Sequence, residues 1–500
     1  MIKKGLLILL LLLVFGANAG LFGDKVVKIE SFDGTQHGLV VLQISTNSNY
    51  QRGLSNWDFV TVKNVSSGKS FRLLPVNAAR KYASVVFGGY LKPGRYVVED
   101  VYEDTEYAGC VIFHETHAVK ANHNEVAFEV VLNQITDVGT VLLFPQHHGI
   151  NNYSVVKSFS MVQVQDDGLD LAALLLNKYK SIFSSVALYQ PEVDKSGSIQ
   201  PPELMSGLPF KYFYQQNSEE RIMLHRHGLI SRKVGAGQWQ QFNTGRVQQY
   251  NAIAKVANGY VIGGEYGAVL FSEDLMSWRS LDLLPIEASV MNIQVTDEVI
   301  QLSVHMPGRR GYTYELSSNF SNLREVASHK LENINYRVDA YNQHEDVIQS
   351  NGYVVKKSLG FNKTSIQMTS GSKDKKVYSG KPRDFFVSGF NYTRDVFVVD
   401  ENNMFLISSP IKRYKKGSYR LKSFKKPYQL YLYYGSINEA LPNDEANKVS
   451  SIPQRCSTFV PEISTASQIY LSCINGDLQV SKDQGKTWYT DYQTGINQLQ

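Results

Sequence analysis

The segment Ser481-Lys482-Asp483-Gln484-Gly485-Lys486-Thr487-Trp488 constrains the fold of this 500-residue chain more than any other. Its aspartate can accept hydrogen bonds from turn N–H groups, and Gly485 permits a positive φ. Thr487-Trp488 then start a returning strand with a large ring that packs between sheets. A segment of this kind joins two antiparallel strands, so it speaks for architecture and is silent on activity. The same grammar recurs upstream. A glycine opens a strand that leads into a serine-containing turn at Gly228–Ser231, Gly267–Ser272, Gly311–Ser317, Gly352–Ser358 and Gly476–Ser481. After each turn comes an aromatic or aliphatic residue, Trp239, Trp278, Leu323, Ile366 and Trp488. The first four lie 39, 45 and 43 residues apart, the length of one four-stranded unit.

Ser272-Glu273-Asp274-Leu275-Met276-Ser277-Trp278 keeps the serine, aspartate and tryptophan but is one residue shorter and lacks the glycine. Together the two segments resemble the Asp boxes of the BNR β-propeller superfamily, which includes sialidases, sortilin-type receptors and the photosystem II assembly propeller. The resemblance implies a propeller of six or seven blades over residues 208–500. Ser272, Asp274, Trp278, Ser481, Asp483, Gly485, Thr487 and Trp488 then stabilise rim hairpins and stay clear of ligand. Residues 384–420, with Asn402–Ser408, read as a further blade, and 425–455 leave room for a seventh. The ring is expected to close by pairing a strand around Phe210–Tyr214 with the last blade, which removes exposed sheet edges.

At the other end, Lys3 and Lys4 precede an apolar run from Leu6 to Phe15 and then Ala17-Asn18-Ala19. These are the three parts of a secretory signal peptide, so residues 1–19 are set apart from the fold and cleavage is expected near Ala19, with a periplasmic or secreted destination. Gly20, where a lipoprotein would carry cysteine, argues against lipid anchoring. The 30 tyrosines and 24 phenylalanines fit an exported all-β protein. Three cysteines cannot form a dense disulfide framework, so hydrophobic cores must hold the fold. Cys456 and Cys473 fall on neighbouring strands of the last blade and are candidates for a disulfide; Cys110 reads as a small buried hydrophobe.

Residues 24–150 alternate apolar and polar positions, as in Gly38–Ile44 and Arg95–Val101, and read as a β-sandwich. The run Leu91–Tyr96, a strand near Gly109–Phe113, Phe128-Glu129-Val130 and Asp137–Val141 weakly resemble small sandwich modules of exported bacterial proteins. Residues 151–207 read as a helical connector. Its helix starts near Asp166-Asp167-Gly168, with either aspartate as N-cap, runs through Leu169, Leu176 and Ile182 to Val186, and stops before Pro191.

Several segments carry candidate chemistry. Sialidases use an Arg-Ile-Pro motif and an arginine triad, since a substrate carboxylate needs bidentate guanidinium contacts. No Arg-Ile-Pro occurs here. Arg221-Ile222-Met223 is the nearest string and reads as strand, while Arg246, Arg279, Arg337 and Arg394 could converge on a central channel. His114, His117, His123, His147 and His148 suggest a metal site, yet residues three apart on a strand face opposite ways, so rim histidines are the better reading. Glu192, Asp194, Ser196, Ser198 and Glu203 follow the ligand spacing of a Ca²⁺-binding EF-hand loop, but Pro191, Pro201 and Pro202 interrupt the helices such a loop needs. No other cofactor is indicated.

Finally, Lys412, Arg413, Lys415, Lys416, Arg420, Lys422, Lys425 and Lys426 crowd eight cations into fifteen residues. Loss of Lys3 and Lys4 takes the formal net charge from +5 to about +3, so the chain outside this stretch is about −5 and the basicity is local. Such a stretch can bind an anionic polymer or a membrane surface, or act as charged gatekeepers on an edge strand. Export speaks against nucleic acid. The reading that results is an exported, non-catalytic binding or scaffold protein with a protein or glycan ligand. A secreted glycoside hydrolase of sialidase-like fold is the alternative.

Overall fold

The computed structural model describes residues 25–46, 59–76, 84–106, 114–120, 126–148, 155–164, 170–179, 187–189, 209–215, 219–296, 299–306, 310–330, 343–348, 354–359, 364–370, 373–379, 393–408, 430–436, 445–454, 456–473 and 476–493. The protein is all-β. Its N-terminal part comprises β1 (Lys25–Val26), β2 (Gly38–Thr46), β3 (Phe59–Asn64), β4 (Ser70–Pro75), β5 (Ser84–Leu91), β6 (Gly94–Glu106), β7 (His114–Lys120), β8 (Ala127–Val130), β9 (Gln134–His148), β10 (Val155–Val164), α1 (Leu171–Lys178) and β11 (Ala187–Tyr189).

The strands form one continuous eleven-stranded sheet with the path β10-β9-β2-β5-β4-β3-β6-β7. In place of the two separate layers of a sandwich, β4 pairs with both β3 and β5, and the sheet rolls round until β7 and β10 are neighbours. Val40, Leu42, Val60, Leu73, Phe87, Tyr96, Phe128 and Val141, from both halves, fill one interior. Sequence alternation finds such strands without finding the parallel β2–β9 pair that joins distant segments.

The expected connector is largely part of this sheet, since β10 and β11 both pair with β9. Its helix is short. Asp170, not Asp166 or Asp167, is the N-cap, its carboxylate accepting from the Ala173 N–H at 2.7 Å. Three aspartates within five residues can all cap. The choice falls to the one that puts Leu171, Leu174 and Leu175 onto Leu39, Val41, Val86 and Ile135 of the sheet. Where the helix was expected to continue toward Pro191, Ala187–Tyr189 is strand.

Six four-stranded antiparallel sheets follow. The first blade is Pro209–Gln215, Glu220–His225, Leu229–Val234 and Gln240–Asn243; the second is Tyr250–Val256, Gly259–Gly264, Val269–Ser272 and Arg279–Ser280. The third is Ser289–Val295, Val299–Met306, Arg310–Ser317 and Leu323–Lys330; the fourth is Gln343–Ile348, Val354–Leu359, Thr364–Ser370 and Lys373–Ser379. The fifth is Thr393–Val398, Asn403–Ser408, Tyr431–Ser436 and Lys448–Ser451; the sixth is Cys456–Phe459, Ile469–Cys473, Leu478–Ser481 and Tyr489–Tyr492. The material thought able to hide a seventh blade supplies the third and fourth strands of the fifth. The repeat alignment also slips once, because Gly352–Ser358 lies on the second strand of its blade while the other glycine anchors lead into third strands.

Closure differs from the expectation. Pro209–Gln215 pairs only within its own blade. The ring is joined by side chains instead: Lys233 Nζ to Asp491 at 2.8 Å, Trp239 Nε1 to Asp491 at 3.2 Å and Gln241 Nε2 to the Tyr492 hydroxyl at 2.7 Å. Beneath this clasp Met223 packs with Val460, Tyr470, Leu478 and Val480. Cys456 and Cys473 face each other across the first two strands of the sixth blade and form a disulfide.

Candidate functional site

The first strands lie innermost where their contacts are described: those of the first and second, second and third, and fifth and sixth blades touch, while the fourth strands of the first, second, third and sixth blades are largely exposed. Five of the six inner strands carry a β-bulge near their start, with Phe210, Asn251, Met291, Arg394 and Ser457 as the extra residues. A bulge leaves one residue out of the ladder and re-aims it. All five fall at the same end of their strands, the mouth of the ring. Phe210, Asn251 and Met291 are 41 and 40 residues apart, a period that was legible in the sequence but was passed over for the glycine anchors.

Polar contacts tie the blades together around this mouth. The Asn251 amide donates to the Val290 carbonyl at 2.9 Å and reaches Ser289 Oγ at 3.4 Å, linking the second and third blades. Asp395 accepts from the Phe459 N–H at 2.6 Å, linking the fifth and sixth, and from its neighbour Val396 N–H at 2.8 Å. In the first blade, buried His225 places Nε2 2.8 Å from Ser231 Oγ and its ring 5.8 Å from Tyr492.

The N-terminal unit docks at the same mouth, on the turn between the second and third strands of the second blade. Buried Glu265 accepts from Ser84 Oγ at 2.8 Å, and the Tyr266 hydroxyl donates to the Ser84 carbonyl at 3.0 Å. Tyr266 enters the cluster formed by α1 and the sheet. The turn holds Tyr266 at φ 57° and Gly267 at φ 69°. A Cβ on Gly267 would stand 2.5 Å from the Pro285 carbonyl oxygen, so only glycine fits.

At the far rim, between the first two blades, Glu220 is almost fully enclosed. Its carboxylate accepts from Tyr260 at 2.7 Å, from Arg232 Nε, and from Lys255 at 3.4 Å. Burial pushes Glu220 up, but the hydrogen bonds from Tyr260 and Arg232 and the two positive charges outweigh it and hold the carboxyl below its usual range. Burial and the bond to Glu220 push Tyr260 to about 12, so its proton stays on the donor side.

The octapeptide Ser481–Trp488 forms a turn laced by its own side chains. Ser481 Oγ donates to Asp483 at 2.7 Å and accepts from the Gly485 N–H at 2.7 Å; Asp483 accepts from the Thr487 N–H at 2.9 Å and hydroxyl at 2.6 Å. The Thr487 and Ser481 bonds hold Asp483 down at about 2. Gln484 and Gly485 both have positive φ, and Gly485 lies against Leu432 of the fifth blade. Trp488 is half-buried and donates to Ser450 Oγ at 3.2 Å, so this turn leans on the neighbouring blade.

The shorter segment repeats the pattern. Ser272 Oγ accepts from the Leu275 N–H at 2.8 Å, Asp274 accepts from Met276 and Ser277, and Leu275 takes the positive φ. A third copy, in the third blade, escaped the sequence reading because asparagine replaces the aspartate. Ser317 Oγ donates to Asn319 at 2.7 Å and accepts from the Asn322 N–H at 3.1 Å, with Phe320 at φ 62°.

The guanidinium groups of Arg279 and Arg221 lie in different blades. Arg279 lies exposed on an outer strand, stacked over Phe271 at 4.9 Å and Phe320 at 5.5 Å. Arg221, inside a strand as expected, lies over Tyr470 at 5.4 Å at the seam between the first and sixth blades. The Arg246 carbonyl, beside Gly228, accepts from Thr244 Oγ1. Arg394 is a bulge residue, and Arg337 lies outside the described residues. So do the EF-like loop with Glu192, Asp194, Ser196, Ser198 and Glu203, the basic stretch from Lys412 to Lys426, Cys110 and His123. His114 and His117 are on β7, in register with Glu106 and Glu103. Among the described residues no group of three or more His, Cys, Asp or Glu side chains is placed to hold a metal.

No protein-family model matches this chain, and no curated protein matches it in sequence. Solved structures similar to it include YCF48 bound to D1 peptide, at TM-score 0.31 and 12% identity over 58% of this chain and 84% of that one. The WD40 propeller domain of Doa1 matches at TM-score 0.29 and 10% identity over 56% and 80%. A luciferin-regenerating enzyme matches at 0.30 and 7% over 54% and 84%. At these values the assignment rests on the molecule's own geometry: six successive four-stranded antiparallel blades, the last clasped to the first, make residues 209–492 a β-propeller.

Proposed function

We propose that this protein is an exported, non-catalytic binding or scaffold protein of the BNR type, and that the channel mouth beside the N-terminal unit is its recognition surface for a protein or glycan. One observation supports this above the others. Among the described residues the enclosed carboxylates of the ring are engaged in structural bonds: Asp395 with the Phe459 amide of the next blade, Glu220 with a tyrosine and two cations, and Glu265 with Ser84 of the N-terminal unit. A hydrolase needs such groups facing a substrate. Meanwhile five first strands carry a bulge at the same end of the ring, which suits recognition by shape and backbone polarity. Export is supported by the leader-like residues 1–19.

The test is direct. Repurified protein assayed with fluorogenic sialosides and aryl glycosides should give no turnover above buffer. Arrays of glycans and of extended peptides should show binding that Met291→Ala weakens without lowering Tm. Turnover that disappears on changing a propeller tyrosine or carboxylate would restore the hydrolase reading.

A further inference from the structure

The outer strands of the blades are unequal. Those of the first, fifth and sixth blades have four residues and that of the second has two, whereas Leu323–Lys330 of the third has eight. It ends its sheet, and among the described residues no strand pairs with its outer edge. Arg324 through Lys330 are all exposed. A free edge of this length offers a row of backbone donors and acceptors to any strand that can approach it.

Charge decides which strand can. Glu325 lies opposite Tyr314 and Lys330 opposite Arg310, so the edge is acidic toward one end and doubly basic at the other. Arg324 is already held by Glu315 at 2.7 Å, but among the described residues neither Glu325 nor Lys330 has an ion partner. Like charges set opposite one another on a ladder repel, and Lys330 with Arg310 is such a pair. Tyr314, Tyr312 and Arg310 alternate down one face of the inner strand, which places their partners Glu325, Ser328 and Lys330 on that face too. Val326 is the extra residue of a bulge.

We propose that Leu323–Lys330 is a self-association edge, which pairs antiparallel with the same strand of a second copy of this chain. A two-fold axis at Ser328 sets Ala327 against His329 of the second copy and, with Val326 standing out of the ladder, brings Glu325 against Lys330 of that copy, twice by symmetry. Each copy then supplies the acid that Lys330 and Arg310 lack. Charged residues and a bulge on an edge turn most strands away, and here they admit the complementary one. The outer strand of the fourth blade, Lys373–Ser379, is nearly as long but carries three lysines and one aspartate, so a copy of itself would meet like charge. A contact made through one strand edge falls in the small class under about 1,200 Å², so the dimer forms and parts with concentration. The strands run between the mouth and the far rim, and antiparallel pairing therefore turns the two mouths in opposite directions. With the mouth as recognition surface, one dimer could bridge two ligands.

Sedimentation velocity on the full chain tests this, with Cys110→Ser as background to exclude disulfides between copies. The protein should dimerise as its concentration rises, and less so at higher salt because the ion pairs are exposed. Glu325→Lys and Lys330→Glu should each weaken association by about tenfold, since each sets two like-charged contacts in place of two opposite ones. An equal mixture of these two variants should associate as the unmodified chain does, because each then carries the charges that the other needs, and the double variant should associate with itself. Both side chains are exposed, so the far-UV circular dichroism and Tm of every variant should match the background. A monomer at every concentration, a dimer that the single reversals leave intact, or a mixture that fails to restore association overturns the proposal.

Discussion

Removing the Glu220 carboxylate is the sharpest probe of how the first two blades are held. Glu220 is 1% exposed, whereas the side chains of Arg232 and Lys255 are 28% and 37% exposed. In Glu220→Ala the two cations can turn to water, so the full 3–5 kcal/mol of a broken buried pair is an upper bound. The Tyr260 hydroxyl, on a residue 4% exposed, cannot turn as easily, and an unpaired buried donor costs about 1–3 kcal/mol. The expected loss is therefore about 2–3 kcal/mol, or roughly 4–12 °C in Tm at the 2–4 °C per kcal/mol of a large domain. Glu220→Gln keeps an acceptor for Tyr260 but not the charge, and should lose about half as much. A double-mutant cycle with Tyr260→Phe, read by thermal unfolding at pH 7, isolates the 2.7 Å bond. Because the folded carboxyl sits below its usual value, its contribution is present above the unfolded value of about 4.3 and is lost as pH falls through the folded one. Additive cycle energies, or a Glu220→Ala loss that is unchanged at pH 3, would refute the reasoning.

Two further perturbations report on other levels of the structure. Ser481→Ala leaves the Gly485 N–H without its acceptor and should lower stability by about 1–3 kcal/mol, seen as a shifted urea midpoint at constant slope; an unmoved midpoint would show that the turn does not depend on this hydroxyl. Burial, with the charge of Asp170 nearby, pushes Asp137 up to about 6. A raised carboxyl favours the folded state below its unfolded value and weakens it as pH rises toward 6. Asp137→Asn, which still accepts the Gly139 N–H, should therefore raise stability by about 2–3 kcal/mol at pH 8 and by almost nothing at pH 4, and an equal gain at both pH values would contradict the assignment.

What the sequence disclosed followed the range of the forces involved. The Ser481–Trp488 turn was legible because nearly all its bonds join residues within five positions, and its carboxylate, glycine and serine each have one local role. The disulfide was legible for a related reason, since a hairpin puts Cys456 opposite Cys473. The third turn of this kind was missed although its geometry is the same, because the amide of Asn319 accepts as a carboxylate does while the motif was sought by its aspartate. Boundaries of the fifth blade were misjudged because second and third strands share one apolar alternation, and no local bond distinguishes them.

The candidate site lay further out of reach, and the reason is physical. Asn251, Asp395, Glu220 and Glu265 act through partners 39, 64, 40 and 181 residues away. No spacing rule joins residues so separated; only the ring does. Yet the two faces of the third blade were present in the alternation of Val299–Met306 all along, with Ile300, Leu302 and Val304 on one side and Gln301, Ser303 and His305 on the other. Alternation of hydrophobic and polar residues predicts one buried face as well as a strand. In the third blade the apolar side of that strand lies in the core shared with the second blade, so the alternation that identifies the strand also names the face that packs on its neighbour.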